Sequence, residues 1–321
     1  MILRWYKILI LISFAITFSL RANAQHSSIP ELFTEISPEP QIRFCINELE
    51  VNNQGGHLQG VQLFVKDQVE YAILSGSSGT YAYYSVAKLD SYNHVLSVNE
   101  LMQKPFKHAG GFQVYQDLMV VGIEDNETKD KSKVCIYEIK NPDMPPQKPL
   151  AMIERVGEPF RSTAGCIAVT KIGDRYLIIV GDWDTKHLDF YVWDAKKLVR
   201  GMSTYKKAYT IDTEKIDKSG WSDKAWHAYQ NINLLNDTDG KLYLFGFGRI
   251  TQNENVADLF LIEHMDMREF SLKKLMSKSF NCREGADFRS GAGIFFQPDG
   301  KLKVISCGSH INESLVLNLF D

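Results

Sequence analysis

The sequence predicts an all-β fold, a five-bladed β-propeller closed by its own N-terminal strand. Two observations carry the prediction. Five segments repeat the order strand, turn, strand ending near glycine, and a strand-like run near the N-terminus can complete the last unit, which stops short. Hydrophobic residues make up 44% and charged residues 23% of the 321-residue chain, enough apolar material for one large core and no compositional reason for disorder.

The five segments begin at Gly56, Lys107, Arg161, Trp226 and Arg289. In each, a short apolar strand is followed by a turn rich in Asp, Gly or Gln, then by a β-branched and aromatic strand. The second strands end near Gly76, Gly122, Gly181, Gly246 and Gly308. Third strands follow, among them SKVCIYEI and LDFYVWDA, too short for helices in this pattern. Fourth strands are expected at Val95 to Met102, Pro149 to Val156, Ala208 to Thr213 and Phe270 to Phe280. The fifth unit lacks one, and Ile42 to Glu50 supplies it, removing the open edges of the sheet. The excess length lies between units: the stretch from Lys196 to Ala225 has room for a short helix, and the prolines from Pro142 to Pro149 mark a loop. A two-sheet sandwich or a β-helix would give no reason for the fivefold repeat.

The segment FQPDGKLKVISCGS in the fifth unit resembles the FSPDGK-type hairpin of WD-repeat blades, and Gly56-His57 and Trp193-Asp194 are similar to that family's GH and WD dipeptides. The resemblance implies a propeller and no activity. Repeats of roughly 50 to 65 residues exceed the ~40–45 of that family and argue against membership.

Residues 1–24 read as a signal peptide. Arg4 and Lys7 precede a 13-residue apolar run, Ile8 to Leu20, short of the roughly 20 residues of a membrane span. Ala22-Asn23-Ala24 places cleavage after Ala24. The expected product is secreted or periplasmic, with no stable membrane anchor. Residues 25–41, with three prolines, read as an extended lead-in, and 42–321 as a single propeller domain. Loss of Arg4, Lys7 and Arg21 takes the formal charge from −3 to −6, and no basic patch points to nucleic acid. Five cysteines show no zinc spacing; a bridge, if formed, is expected between Cys282 and Cys307.

In a propeller blade, the start of the first strand and the end of the second share one face. That places His57, His108, His227, Gln62, Gln113, Glu124, Asp182, Arg249, Arg289 and His310 as candidate ligand-binding residues at one channel mouth. His57, His108 and His227, at equivalent positions, are a candidate ligand set for Zn²⁺. Acidic runs around Glu124 and Asp182 could serve Ca²⁺. Histidines there also hold WD-repeat blades together structurally. No GxSxG, HExxH or paired-cysteine motif is present. The expected function is an exported binding protein for a small molecule, glycan or protein. The alternative is a metal- or His-dependent hydrolase or lyase using the same face.

Overall fold

The computed structural model describes residues 28–321 apart from 145, 147, 203, 252, 253 and 298. The expected signal peptide lies outside these residues. The all-β expectation is met. Among the described residues, twenty strands form five antiparallel four-stranded meanders.

The first comprises β2 (Leu58–Lys66), β3 (Val69–Ser77), β4 (Tyr81–Leu89) and β5 (His94–Gln103). The second comprises β6 (His108–Tyr115), β7 (Leu118–Glu124), β8 (Lys131–Glu138) and β9 (Ala151–Val156). The third contains β10 (Cys166–Ile172), β11 (Arg175–Gly181), β12 (His187–Asp194) and β13 (Tyr205–Asp212). The fourth contains β14 (Asn231–Asn236), β15 (Leu242–Thr251), β16 (Glu254–Met265) and β17 (Glu269–Phe280). In the fifth, β18 (Ala286–Phe296), β19 (Leu302–Gly308) and β20 (Ser314–Phe320) are joined by β1 (Gln41–Ile46), antiparallel to β20 from Gln41 opposite Leu319 to Ile46 opposite Ser314. The hairpins follow local chemistry: Asp67 and Gln68, at φ +49° and +66°, make a two-residue turn whose twist suits β2 and β3.

The first strands, β2, β6, β10, β14 and β18, neighbour one another in cyclic order. Five apolar clusters fill the spaces between successive meanders, the last shared by the fifth and the first. Inner strands approach so closely that a Cβ at Gly110 would collide with the carbonyl oxygen of Gly165.

Amide side chains stitch these inner strands. Gln113 on β6 accepts from Val169 N at 2.8 Å and Leu234 N at 2.9 Å, and donates to Leu234 O at 2.9 Å. Asn233 on β14 accepts from Ile294 N at 2.9 Å and from Gln62 at 3.2 Å. Each bond satisfies a group that would cost about 1–3 kcal/mol if buried alone.

The 25–41 segment is not simply extended: Ile29–Glu35 forms helix α1. Its prolines suggest an extended lead-in, yet Pro30 sits in the first turn, where the missing N–H costs nothing. Glu31 accepts from Ser28 N at 2.8 Å, and Lys278 Nζ donates to the carbonyls of Phe33 and Thr34 at the other end. Ile29, Phe33 and Ile36 are buried, with Phe33 edge-on to Phe245 at 5.1 Å, so the helix wedges between the fourth and fifth meanders. A second helix, α2 (Ala195–Val199), opens the long insertion. The Cys282–Cys307 bridge is not formed. Cys282 Sγ meets Ser306 Oγ at 3.4 Å, and Cys307 Sγ donates to Ser290 O at 3.5 Å.

Candidate functional site

Where the inner strands begin and the second strands end, a pocket of about 620 Å³ opens, within the range of ligand sites. All five meanders contribute: His57 and Gln59; His108 and Glu124; Asp182, Trp183 and Asp184; Tyr229, Gln230 and Arg249; Arg289. Of the ten candidate residues, His57, His108, Glu124, Asp182, Arg249 and Arg289 are together on this wall.

The other four are elsewhere. Gln62 and Gln113 lie five residues further along their strands, deeper along the axis, and are spent on the stitches above. His227 turns toward buried Asp258, with Nε2 at 3.8 Å from Oδ2. His310 lies past the end of β19, in a separate hollow beside Glu284 and Glu313.

The expected metal triad does not assemble. Among the described residues no group of three or more His, Cys, Asp or Glu is placed to hold a metal ion. The Gln59 amide explains part of this, since its Nε2 stands 3.0 Å from Nε2 of both His57 and His108. It therefore occupies the space a shared ion would need, while Gln230 donates to its Oε1 at 2.6 Å. Burial holds His57 below its ordinary value, and nearby His108, His310 and Arg289 add to this.

Glu124 closes β7 and is fully buried. Its Oε2 accepts from Ala164 N at 3.0 Å. Its Oε1 stands 3.2 Å from His108 Nδ1, but off hydrogen-bonding geometry, so both atoms lack a hydrogen bond among the described residues. A buried carboxylate left partly unsatisfied costs stability.

Asp182 follows β11. His187 donates its backbone N–H to Oδ1 at 2.8 Å, and its Nδ1 shares a 2.7 Å bond with Oδ2. Burial nevertheless pushes the Asp182 carboxyl up, outweighing those bonds and the Arg161 charge 4.0 Å away. Arg161 is itself held by Asp189, a buried carboxylate that also takes Arg155 at 2.7 Å, Lys207 at 2.9 Å and Thr210 at 2.6 Å. Burial pushes Asp189 up, but Arg161, Arg155, Thr210 and Lys207 prevail and hold it far below the usual carboxylate range. Beyond Asp182, Asp184 and Thr185 both adopt left-handed backbone, at φ +61° and +51°. Such non-glycine positions cost of order 1–3 kcal/mol each and collect at working sites. The turn sets Trp183 and Asp184 on the pocket wall, and Lys129 Nζ lies 4.1 Å from the Trp183 ring.

Tyr229, on the pocket wall, belongs to a buried network. Tyr229 donates to Asp258, whose Oδ2 also pairs with Lys274 at 2.9 Å; Lys274 reaches Asp223 at 2.9 Å and Ala225 O at 3.1 Å. Burial, then Asp258, raises Tyr229 well above its ordinary value. Sequence reasoning missed Asp258 and Lys274. The available signal was alternation: Lys274 is in phase with Phe270 and Leu272 on the inward face of β17.

No known protein-family description matches the chain, and no curated relative does. Solved structures do. The chain is similar to an α-L-arabinofuranosidase from Podospora anserina in complex with cellotriose: TM-score 0.52 and 10% identity, covering 89% of this chain and 99% of that one. It is also similar to a bifunctional GH43-CE protein of Bacteroides eggerthii, with TM-score 0.50 and 12% identity. That match covers 88% of this chain and 34% of that one. At such identities the likeness shows the fold. It is a β-propeller, and not specifically that of WD-repeat proteins. The expectation of a non-catalytic binding propeller is corrected by these matches, because the propellers sharing the fold are glycoside hydrolases. The three histidines do not converge as a ligand set among the described residues: His57 and His108 meet the Gln59 amide, and His227 faces Asp258.

Proposed function

We propose that this chain is a glycoside hydrolase built as a five-bladed propeller, each meander a blade and β1 the closing strand. It is exported by the N-terminal signal, with cleavage after Ala24, and acts on a glycan in the pocket described. One observation carries the reading: two buried carboxylates from neighbouring meanders, Glu124 and Asp182, line a single sugar-sized pocket beside a half-buried tryptophan. Glycosidic hydrolysis uses such a pair of carboxyl groups. Asp182, whose carboxyl is pushed up by burial, is the general acid that passes a proton to the departing glycosidic oxygen. Water adds to the anomeric carbon and yields its proton to Glu124 at Oε1, the oxygen with no hydrogen bond among the described residues. Trp183 offers a ring face for sugar stacking.

The test is hydrolysis of aryl glycosides by the purified mature protein, over furanosides, pyranosides and glycuronides, starting with the α-L-arabinofuranoside. Wild type releases the aryl group from at least one. Asp182→Asn and Glu124→Gln each lower kcat by roughly 10²–10⁴-fold while the variants still unfold cooperatively. No release from any substrate, or unaltered rates in both variants, overturns the reading.

A further inference from the structure

The pocket is divided by charge. Its acids come from the second and third meanders: Glu124, Asp182 and Asp184. Its guanidinium groups come from the fourth and fifth: Arg249 at the end of β15 and Arg289 on β18. The two arginines are held differently. Arg249 gives NH1 to Asp287 Oδ2 at 2.7 Å, which fixes its direction and leaves its other nitrogens unengaged among the described residues. Both Asp287 oxygens are then engaged, because its Oδ1 accepts from Ser290 N at 2.6 Å. Arg289, exposed on the pocket wall, has no carboxylate or hydrogen-bond partner among the described residues.

A neutral sugar gives no reason for a cationic wall facing the acids. Arginine presents a planar fork of donors that matches a carboxylate in two parallel hydrogen bonds. A sugar with its glycosidic oxygen at the acidic wall and a carboxylate on its far side would meet both charges with opposite ones. From this segregation we propose that the pocket takes an acidic glycan, a sugar unit bearing a uronic carboxylate, with Arg289 as the residue that binds that carboxylate and Arg249 as its support. The inference rests on the reading of the pocket as a glycan site and deepens it by naming the substrate class.

The test is calorimetric binding of two probes, digalacturonate and a glucuronosyl-xylose disaccharide, to the mature protein at low salt. Each is compared with its methyl ester, which keeps the shape and removes the charge. The expected result is that at least one acid binds about tenfold or more tightly than its ester. Arg289→Gln abolishes the difference, and Arg289→Lys, which keeps charge but loses the fork, restores part of it. Thermal unfolding checks that both variants fold, as their exposed position leads us to expect. Equal binding of acid and ester for both probes overturns the inference, as does a preference that survives in Arg289→Gln. Binding does not depend on turnover, so the two readings fail separately. Cleavage of an uncharged aryl glycoside with no acid preference removes the acidic substrate and leaves the hydrolase. Acid preference with no cleavage of any aryl glycoside does the reverse.

Discussion

The axis of the inner strands and the mouth above it are both polar, yet built on opposite terms. Along the axis, Gln113 and Asn233 are neutral amides that bind backbone groups of other meanders. At the mouth, acids and arginines converge, and His108 Nδ1 and Glu124 Oε1 lie buried without hydrogen bonds among the described residues. The backbone beside them is strained at Asp184 and Thr185. The comparison teaches that polarity alone does not mark a site here. What marks it is ionisable groups from several meanders converging on one open pocket.

Three measurements can break or sharpen that contrast. The largest effect is expected behind the mouth, where Asp189 gathers three cations. Asp189→Asn leaves them unneutralised and should cost about 3 kcal/mol or more in denaturant unfolding at pH 7. The folded carboxyl is depressed, so its contribution is present above its unfolded value near 3.8 and is lost as pH falls through the depressed one. The gap between variant and wild type should therefore narrow below about pH 4. A constant gap would show that geometry and not charge holds this corner.

Next comes the axis. Asn233→Ala removes the acceptor of Ile294 N–H and should cost about 2 kcal/mol, read as a lower denaturation midpoint. A neutral result would mean that the stitches are ornamental.

The smallest effect belongs to the mouth itself. His57→Gln should shift stability at pH 7 by about 1 kcal/mol or less. Because burial lowers His57, wild type loses stability as pH drops from 6.5 through the lowered value, and the variant should lose that slope. A large loss at pH 7 would place His57 among the stitches.

The strands were legible because alternation, turn residues and terminal glycines agree in all five units. The fourth strands and β1 fell within a few residues of their expected places, at His94–Gln103 and Gln41–Ile46 for instance. Helix α1 was not, since proline is the same letter in a loop and in a helix's first turn. The mouth was legible in part. His57, Glu124 and Asp182 follow from strand geometry, whereas Gln62 and Gln113 show that nearness in sequence becomes depth along a strand. The role of Gln59 between two histidines, and the direction His227 takes toward Asp258, depend on side-chain packing that no spacing encodes.

The union of β1 with β20 has a consequence for the order of events in folding. Partners nearly three hundred residues apart, Gln41 and Leu319, must meet before the last meander is whole. Contacts of such long range are slow to form. Until they do, two raw strand margins stay open to wrong partners. Pairing of β1 with β20 is then expected to come late, and the interval before it is when these strand edges are open to aggregation and proteases.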